Sequence, residues 1–358
     1  MERTYGEVWK AGARRLAEAG IDEAEAEAGA ELLFLHAMGI GKAELLRDLR
    51  EPFPEAKREM WEAMLARRAA GEPAQYITGE QYFYGRRFVV TPAVLIPRPE
   101  TELLAEAVLA GAAEVVAARK ATGGADSAEP ERIAGAKEGI GLAGFAEPER
   151  IAEAKEATSV AHSANWERVA VDRSYANSQL KHSNLHVLDV GTGSGALAIT
   201  LKLERPEWNV TASDLSPEAL SVAAGNASAL GAQVRFMQGD LLAPFLPGGE
   251  HAGERIDVLV SNPPYIPSGD LPGLQPEVRE HEPKLALDGG PDGLAPYRRM
   301  AAQLKELPAM PSIVAWEVGI HQADQAAELL RQAAFWDEIR IVRDYAGIDR
   351  HVLAIRFS

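Results

Sequence analysis

The sequence predicts an α/β fold: a seven-stranded, mostly parallel, doubly wound sheet preceded by a small helical bundle and a β-hairpin linker. Three observations carry this. From Leu185 onward, strand-like runs at 185–190, 209–213, 233–237, 256–261 and 312–318 alternate with helical stretches. Two further strands, 338–343 and 351–356, are joined only by Asp344 to Arg350, too short a link for a parallel crossover, so this pair is antiparallel. Residues 1–72 are instead rich in Ala, Glu, Leu and Arg, with apolar positions every three or four residues.

Within the bundle, Leu32-Leu33-Phe34-Leu35-His36 reads as a buried helical turn, and Gly39, Gly41, Pro52 and Pro54 mark breaks. Residues 73–100 form the linker. There Tyr76-Ile77-Thr78-Gly79 and Tyr82-Phe83-Tyr84-Gly85, ahead of Arg86-Arg87-Phe88-Val89-Val90, predict short strands or a hairpin. Pro92, Pro97 and Pro99 postpone the next element to a helix capped near Thr101 and continued by Leu103, Leu104 and Val108. Residues 101–358 make the α/β domain. A low-complexity insertion interrupts it at about 118–183, where Ala128-Glu129-Pro130-Glu131-Arg132-Ile133-Ala134 recurs 18 residues later as Ala146-Glu147-Pro148-Glu149-Arg150-Ile151-Ala152. The expectation is a duplicated, solvated loop with two short helices; a docking arm for a partner is the alternative.

Composition removes several function classes. A net charge of −16 opposes a phosphate backbone, so no direct nucleic-acid binding is expected. Without cysteine there are no disulfides, Cys-ligated zinc or thiol catalysis. No His/Asp/Glu cluster suggests a metal. No run reaches ~18 apolar residues, so no membrane span is expected. Met1-Glu2-Arg3-Thr4-Tyr5 lacks a basic-then-apolar leader pattern, and a cytoplasmic protein is expected.

Val187-Leu188-Asp189-Val190 runs into Gly191-Thr192-Gly193-Ser194-Gly195 and an apolar helix from Ala196. Glycines allow a sharp turn and close approach to a ligand, and the helix start offers amide hydrogens. The G-x-G-x-G spacing differs from the dinucleotide G-x-G-x-x-G and favours S-adenosyl-L-methionine over NAD. Asp214, ending the next strand, is placed to accept the ribose hydroxyls or to cap the helix after Ser216-Pro217-Glu218. Asp240, after the third strand, is placed for the adenine amino group or for a plain surface turn, with Leu241 against the ring.

The fourth strand leads into Asn262-Pro263-Pro264-Tyr265. Two prolines fix φ twice and remove two donors, giving a stiff loop rich in acceptors. Asn262 Oδ1 and the Pro263 carbonyl can each take one hydrogen of a substrate NH2, and Tyr265 offers a ring for a planar amide or base. An amide nitrogen is a poor nucleophile, so alignment and N–H polarisation must carry the reaction. Asn262, Pro263 and Tyr265 are thus the candidate catalytic residues, with Pro264 in the substrate loop and Asn262 also expected to border the methyl donor.

At this point the chain resembles the HemK/PrmC family of release factor glutamine N5-methyltransferases. Asn-Pro-Pro-Tyr alone is shared with amino-group DNA methyltransferases, the competing reading. The discriminating text is Gly71-Glu72-Pro73-Ala74-Gln75-Tyr76-Ile77-Thr78-Gly79, Phe83-Tyr84-Gly85, and Val94-Leu95-Ile96-Pro97-Arg98-Pro99-Glu100-Thr101-Glu102. His281-Glu282-Pro283, Leu285-Ala286-Leu287-Asp288-Gly289-Gly290 and Asp292-Gly293-Leu294 add to it downstream. The resemblance spans the chain except the insertion. It implies a Rossmann-like class I methyltransferase domain and an N-terminal bundle that helps bind the substrate. It implies as substrate the glutamine of the Gly-Gly-Gln loop of peptide chain release factors 1 and 2. It assigns Gly191 to Gly195 to the methyl donor, Asp214 to its ribose, Leu241 to its adenine, and Asn262 to Tyr265 to the glutamine. Many relatives carry an aromatic residue where Leu241 stands, so an aliphatic contact replaces a stacking one here.

Overall fold

The computed structural model describes residues 3–123 and 183–357. The N-terminal bundle comprises α1 (Tyr5–Glu18), α2 (Glu23–Met38), α3 (Lys42–Arg47) and α4 (Arg58–Ala69). Local chemistry sets its ends. Thr4 and Glu7 close a capping box on α1, Asp22 caps α2, and Gly39 ends α2 at φ 69°. Phe34 is fully buried, with Tyr5 and Trp61 rings edge-on to it at 5.4 Å and Phe53 tilted at 6.0 Å.

The linker departs from the strand reading in its first half. Ala74–Thr78 is a short helix, α5, entered from Pro73 and stopped by Gly79 at φ 76°. Burial of Tyr76 and Ile77 decides this, and their strand propensity yields to it. The hairpin follows: β1 (Glu80–Phe83) pairs antiparallel with β2 (Arg86–Val89) across Tyr84-Gly85. Both turn residues have positive φ, 52° and 72°, as a two-residue hairpin turn requires.

α6 (Pro99–Gly123) starts two residues before the expected cap, because proline is tolerated in a first helical turn. Thr101 therefore lies inside the helix and caps nothing. The helix also runs past the expected start of the insertion at 118, and just ahead of that point Val115 and Val116 pack into the core. The rest of the insertion, including both repeat copies, lies outside the described residues.

All seven expected strands are present, as β3 (His186–Val190), β4 (Asn209–Asp214), β5 (Arg235–Gln238), β6 (Val258–Ser261), β7 (Ile313–Glu317), β8 (Glu338–Arg343) and β9 (Asp349–Ile355). The crossovers contain α7 (Ala196–Glu204), α8 (Pro217–Leu230), α9 (Pro276–His281), α10 (Ala295–Leu304) and α11 (Ala323–Ala333). The sheet order is β5-β4-β3-β6-β7-β9-β8. Strands β3 to β7 are parallel, and β9 is antiparallel to both neighbours. This is a Rossmann-like sheet with its last strand inserted between the two before it. Order reverses between β3 and β6, so the crevice for a ligand opens beyond the carboxyl ends of these two strands.

The bundle meets the α/β domain through the segment that follows β6. Nearly buried Arg68 of α4 bonds Glu277 of α9 at 2.5 Å, and Gln275 donates to Glu25 of α2 at 3.3 Å. Arg98 bonds the buried Glu282 at 2.5 Å. No helix among the described residues is long and apolar enough to cross a membrane.

Candidate active site

The glycine loop follows β3 and the Asn262 loop follows β6, so they flank the switch point as neighbours. Gly191, Gly193 and Gly195 have φ of 73°, 55° and 82°. A Cβ on Gly191 or Gly193 would meet nothing within 4 Å, so these two glycines border open space. One on Gly195 would stand 2.8 Å from Ile199 and 3.1 Å from Ala223, so that glycine also serves helix packing.

The loop's amides are used differently from the sequence expectation. Gly191 and Thr192 donate to the Ser213 carbonyl, Gly193 to Asp214 Oδ2 at 2.8 Å, and Gly195 to the Thr192 carbonyl. The loop is thus fastened by its own chain, and its glycines serve shape more than donation. Thr192 and Ser194 are buried in this turn.

Asp189 is the fastener that sequence reading missed. Its Oδ2 accepts Thr192 Oγ1 at 2.6 Å and the Ala198 amide at 3.2 Å, tying strand, loop and helix together. The available signal was a carboxylate inside the apolar run Leu188-Asp189-Val190. Burial pushes its pKa up to about 7, against the two hydrogen bonds that favour the charge and with help from nearby Asp214. The folded state therefore holds the Asp189 proton more tightly than the unfolded chain does. The stabilisation this gives is present in acid and is lost as pH rises toward 7. Asn at 189 keeps an acceptor and removes the buried charge. The melting temperature of Asp189→Asn relative to wild type should therefore climb by at least about 2 °C from pH 5 to pH 8. A difference that does not change with pH would refute this.

Asp214 closes β4, and its Oδ1 accepts the Ser216 amide at 2.9 Å. The helix cap itself is the Ser216 hydroxyl, which accepts the Ala219 amide. Burial raises the Asp214 pKa, opposed by the amides of Ser216, Gly193 and Leu215. Asp240 follows β5 and pairs with Arg299 through Oδ2 at 2.6 Å. Leu241 is half-buried at φ 52°, a left-handed conformation costly for a non-glycine residue and common where function fixes the backbone. These side chains descend from adjacent strand ends in the order β5, β4, β3, β6. A carboxylate, a glycine turn and an aliphatic shelf along one crevice fit a ribose, a charged tail and an adenine.

Asn262 stands at the end of β6. Its Nδ2 donates to Thr101 Oγ1 at 3.1 Å, and its Oδ1 accepts nothing from the described residues. The carbonyls of Pro263 and Pro264 likewise accept no hydrogen bond from the described residues. Tyr265 is half-buried; burial, then the Glu317 carboxylate, push its phenol up to about 12, so it is neutral near pH 7.

The loop is braced from behind by the segment 287–293. Ile266 donates to the Leu287 carbonyl at 3.0 Å, Gly289 to Ile266 at 2.8 Å, and Ser268 to Gly290 at 2.8 Å. Gln322 Nε2 donates to the Tyr265 carbonyl at 2.9 Å while its Oε1 accepts the Gly319 amide at 2.9 Å. The sequence motif at 285–294 is this brace. Gln322 and Gly319 were not legible beforehand.

Residues 7–79 match the PrmC N-terminal domain family, and residues 175–271 match the methyltransferase small domain family. The chain is 36% identical to the release factor glutamine methyltransferase of Bacillus cereus, covering 95% of this chain and 94% of that one. Identity is 34% to the Bacillus subtilis protein of the same name, over 99% and 98%. It is 37% to that of Moorella thermoacetica, over 96% and 95%. Such identity along nearly the whole length of both partners joins bundle, glycine loop and Asn262 loop in one assignment: the chain belongs to the release factor glutamine methyltransferase family.

Proposed function

We propose that this methyltransferase transfers a methyl group from S-adenosylmethionine to the side-chain amide nitrogen, N5, of the glutamine in the Gly-Gly-Gln loop of release factors 1 and 2. One observation carries the reading: beside the glycine loop, the Asn262 oxygen accepts no bond from the described residues while its NH2 is held. S-adenosylmethionine, when bound, supplies an electrophilic methyl on a cationic sulfur. The turn Gly191 to Gly195 would border its charged tail, Asp214 would accept its ribose hydroxyls, and Asp240 and Leu241 would receive its adenine.

Asn262 Oδ1 and the Pro263 carbonyl each accept one N–H of the glutamine amide, which turns the nitrogen lone pair toward the methyl. Tyr265 supports the amide plane, with Pro264 keeping the corner rigid. Neither oxygen is a base able to take a proton from a neutral amide. The bond from the methyl to the donor sulfur would break as the N–C bond forms, leaving a neutral thioether, and the nitrogen, then cationic and strongly acidic, would give its proton to water. Alignment of the reacting atoms is the chief contribution, of order 7–11 kcal/mol in favourable cases. The N-terminal bundle contributes release factor binding, and the site of action is the cytoplasm.

The test is transfer of a labelled methyl group to purified release factor, to its Gln→Ala variant in the Gly-Gly-Gln loop, and to unmethylated DNA. Label on the intact loop alone is expected. Label on DNA, or on the Gln→Ala variant, would overturn the proposal.

A further inference from the structure

The described bonds of Asn262 continue away from the crevice. Thr101 Oγ1 donates to Glu317 Oε2 at 2.7 Å, and both residues are buried. Thr101 sits in the first turn of α6, and Glu317 ends β7, the strand beside β6. The Glu317 backbone is itself fixed, because the buried Tyr297 hydroxyl donates to its carbonyl at 2.6 Å.

We infer that Thr101 and Glu317 are positioning residues that set which end of the Asn262 amide faces the substrate, an inference that rests on the proposed role of Asn262. The two ends of an amide are nearly the same size, and packing distinguishes them poorly. Hydrogen-bond chemistry does distinguish them. The Glu317 carboxylate oxygen takes the single hydrogen of the Thr101 hydroxyl. That hydroxyl can then only accept from Asn262, and only the NH2 end of the amide donates. Oδ1 is thereby turned to the other side.

Without the relay, the amide is free to rotate by half a turn about its last side-chain bond. It then presents NH2 to the substrate's NH2, donor against donor, and the productive geometry is lost. The relay acts on turnover and not on donor binding, because neither residue belongs to the set assigned to the donor.

The experiment measures kcat, KM for release factor, calorimetric affinity for S-adenosylmethionine, and melting temperature. Thr101→Val should lower kcat about tenfold or more, with donor affinity within about twofold of wild type. Thr101→Ser, which keeps the hydroxyl, should stay within about threefold of wild type. Glu317→Met removes the acceptor and leaves the hydroxyl, and should fall with Thr101→Val, so whichever folds decides the matter. In an Asn262→Ala background, Thr101→Val should cost less than about twofold, since a residue acting through Asn262 has nothing left to orient. Wild-type kcat in a folded Thr101→Val or Glu317→Met, or losses that multiply in the double variant, overturns the inference. Wild-type kcat in Asn262→Ala overturns instead the reading beneath it.

Discussion

Asn262→Ala is expected to lower kcat by roughly 10²–10³-fold, the scale seen when one preorganised polar contact to a reacting group is deleted. The substrate amide would keep only the Pro263 carbonyl, and its nitrogen would rotate out of line. Donor affinity should change by less than about threefold, because the glycine loop, Asp214 and Leu241 are untouched. On the proposed function, release factor KM should also change little, because the N-terminal bundle is untouched. Single-turnover transfer and calorimetry on the same preparation separate these quantities. Parallel loss of rate and donor affinity would mean that Asn262 holds the donor and not the glutamine.

Gly293→Ala should be as damaging from a position that touches no substrate. Gly293 has φ +76°, and a Cβ there would stand 2.2 Å from the Tyr265 carbonyl oxygen and 2.4 Å from Gln322 Nε2. A backbone oxygen cannot swing aside as a side chain does. Relief requires moving Tyr265, and with it the Asn262 loop, or breaking the Gln322 bond to that same oxygen. The expected cost is roughly 2–4 kcal/mol of stability, with turnover at about 1% of wild type or less. Urea midpoints and turnover check the two parts separately. A variant with wild-type midpoint and rate would show that the brace does not fix the loop.

These two positions mark how legible the site was. Asn262-Pro263-Pro264-Tyr265 carries its chemistry within four consecutive residues, and the glycine turn within five, so both could be read directly. The alternation of strands gave the sheet, because parallel strands are apolar runs and helices separate them. The supports were not legible, because their partners are remote. Asn262 bonds a residue 161 positions away, and Thr101 one 216 positions away. Thr101 looked like a cap because it follows three prolines, and local rules cannot see Glu317. In α5, aromatic and β-branched residues suggested a strand, but Pro73 and Gly79 bounded one helical turn whose Tyr76 and Ile77 are buried.

The insertion of β9 between β7 and β8 has a consequence for the order of assembly. On the ribosome, β8 emerges before β9, and β9 is its bonded neighbour in the sheet. Until residues 349–355 leave the exit tunnel, β7 exposes an unpaired edge and β8 has no place to dock. Native closure of the sheet must therefore await the emergence of β9.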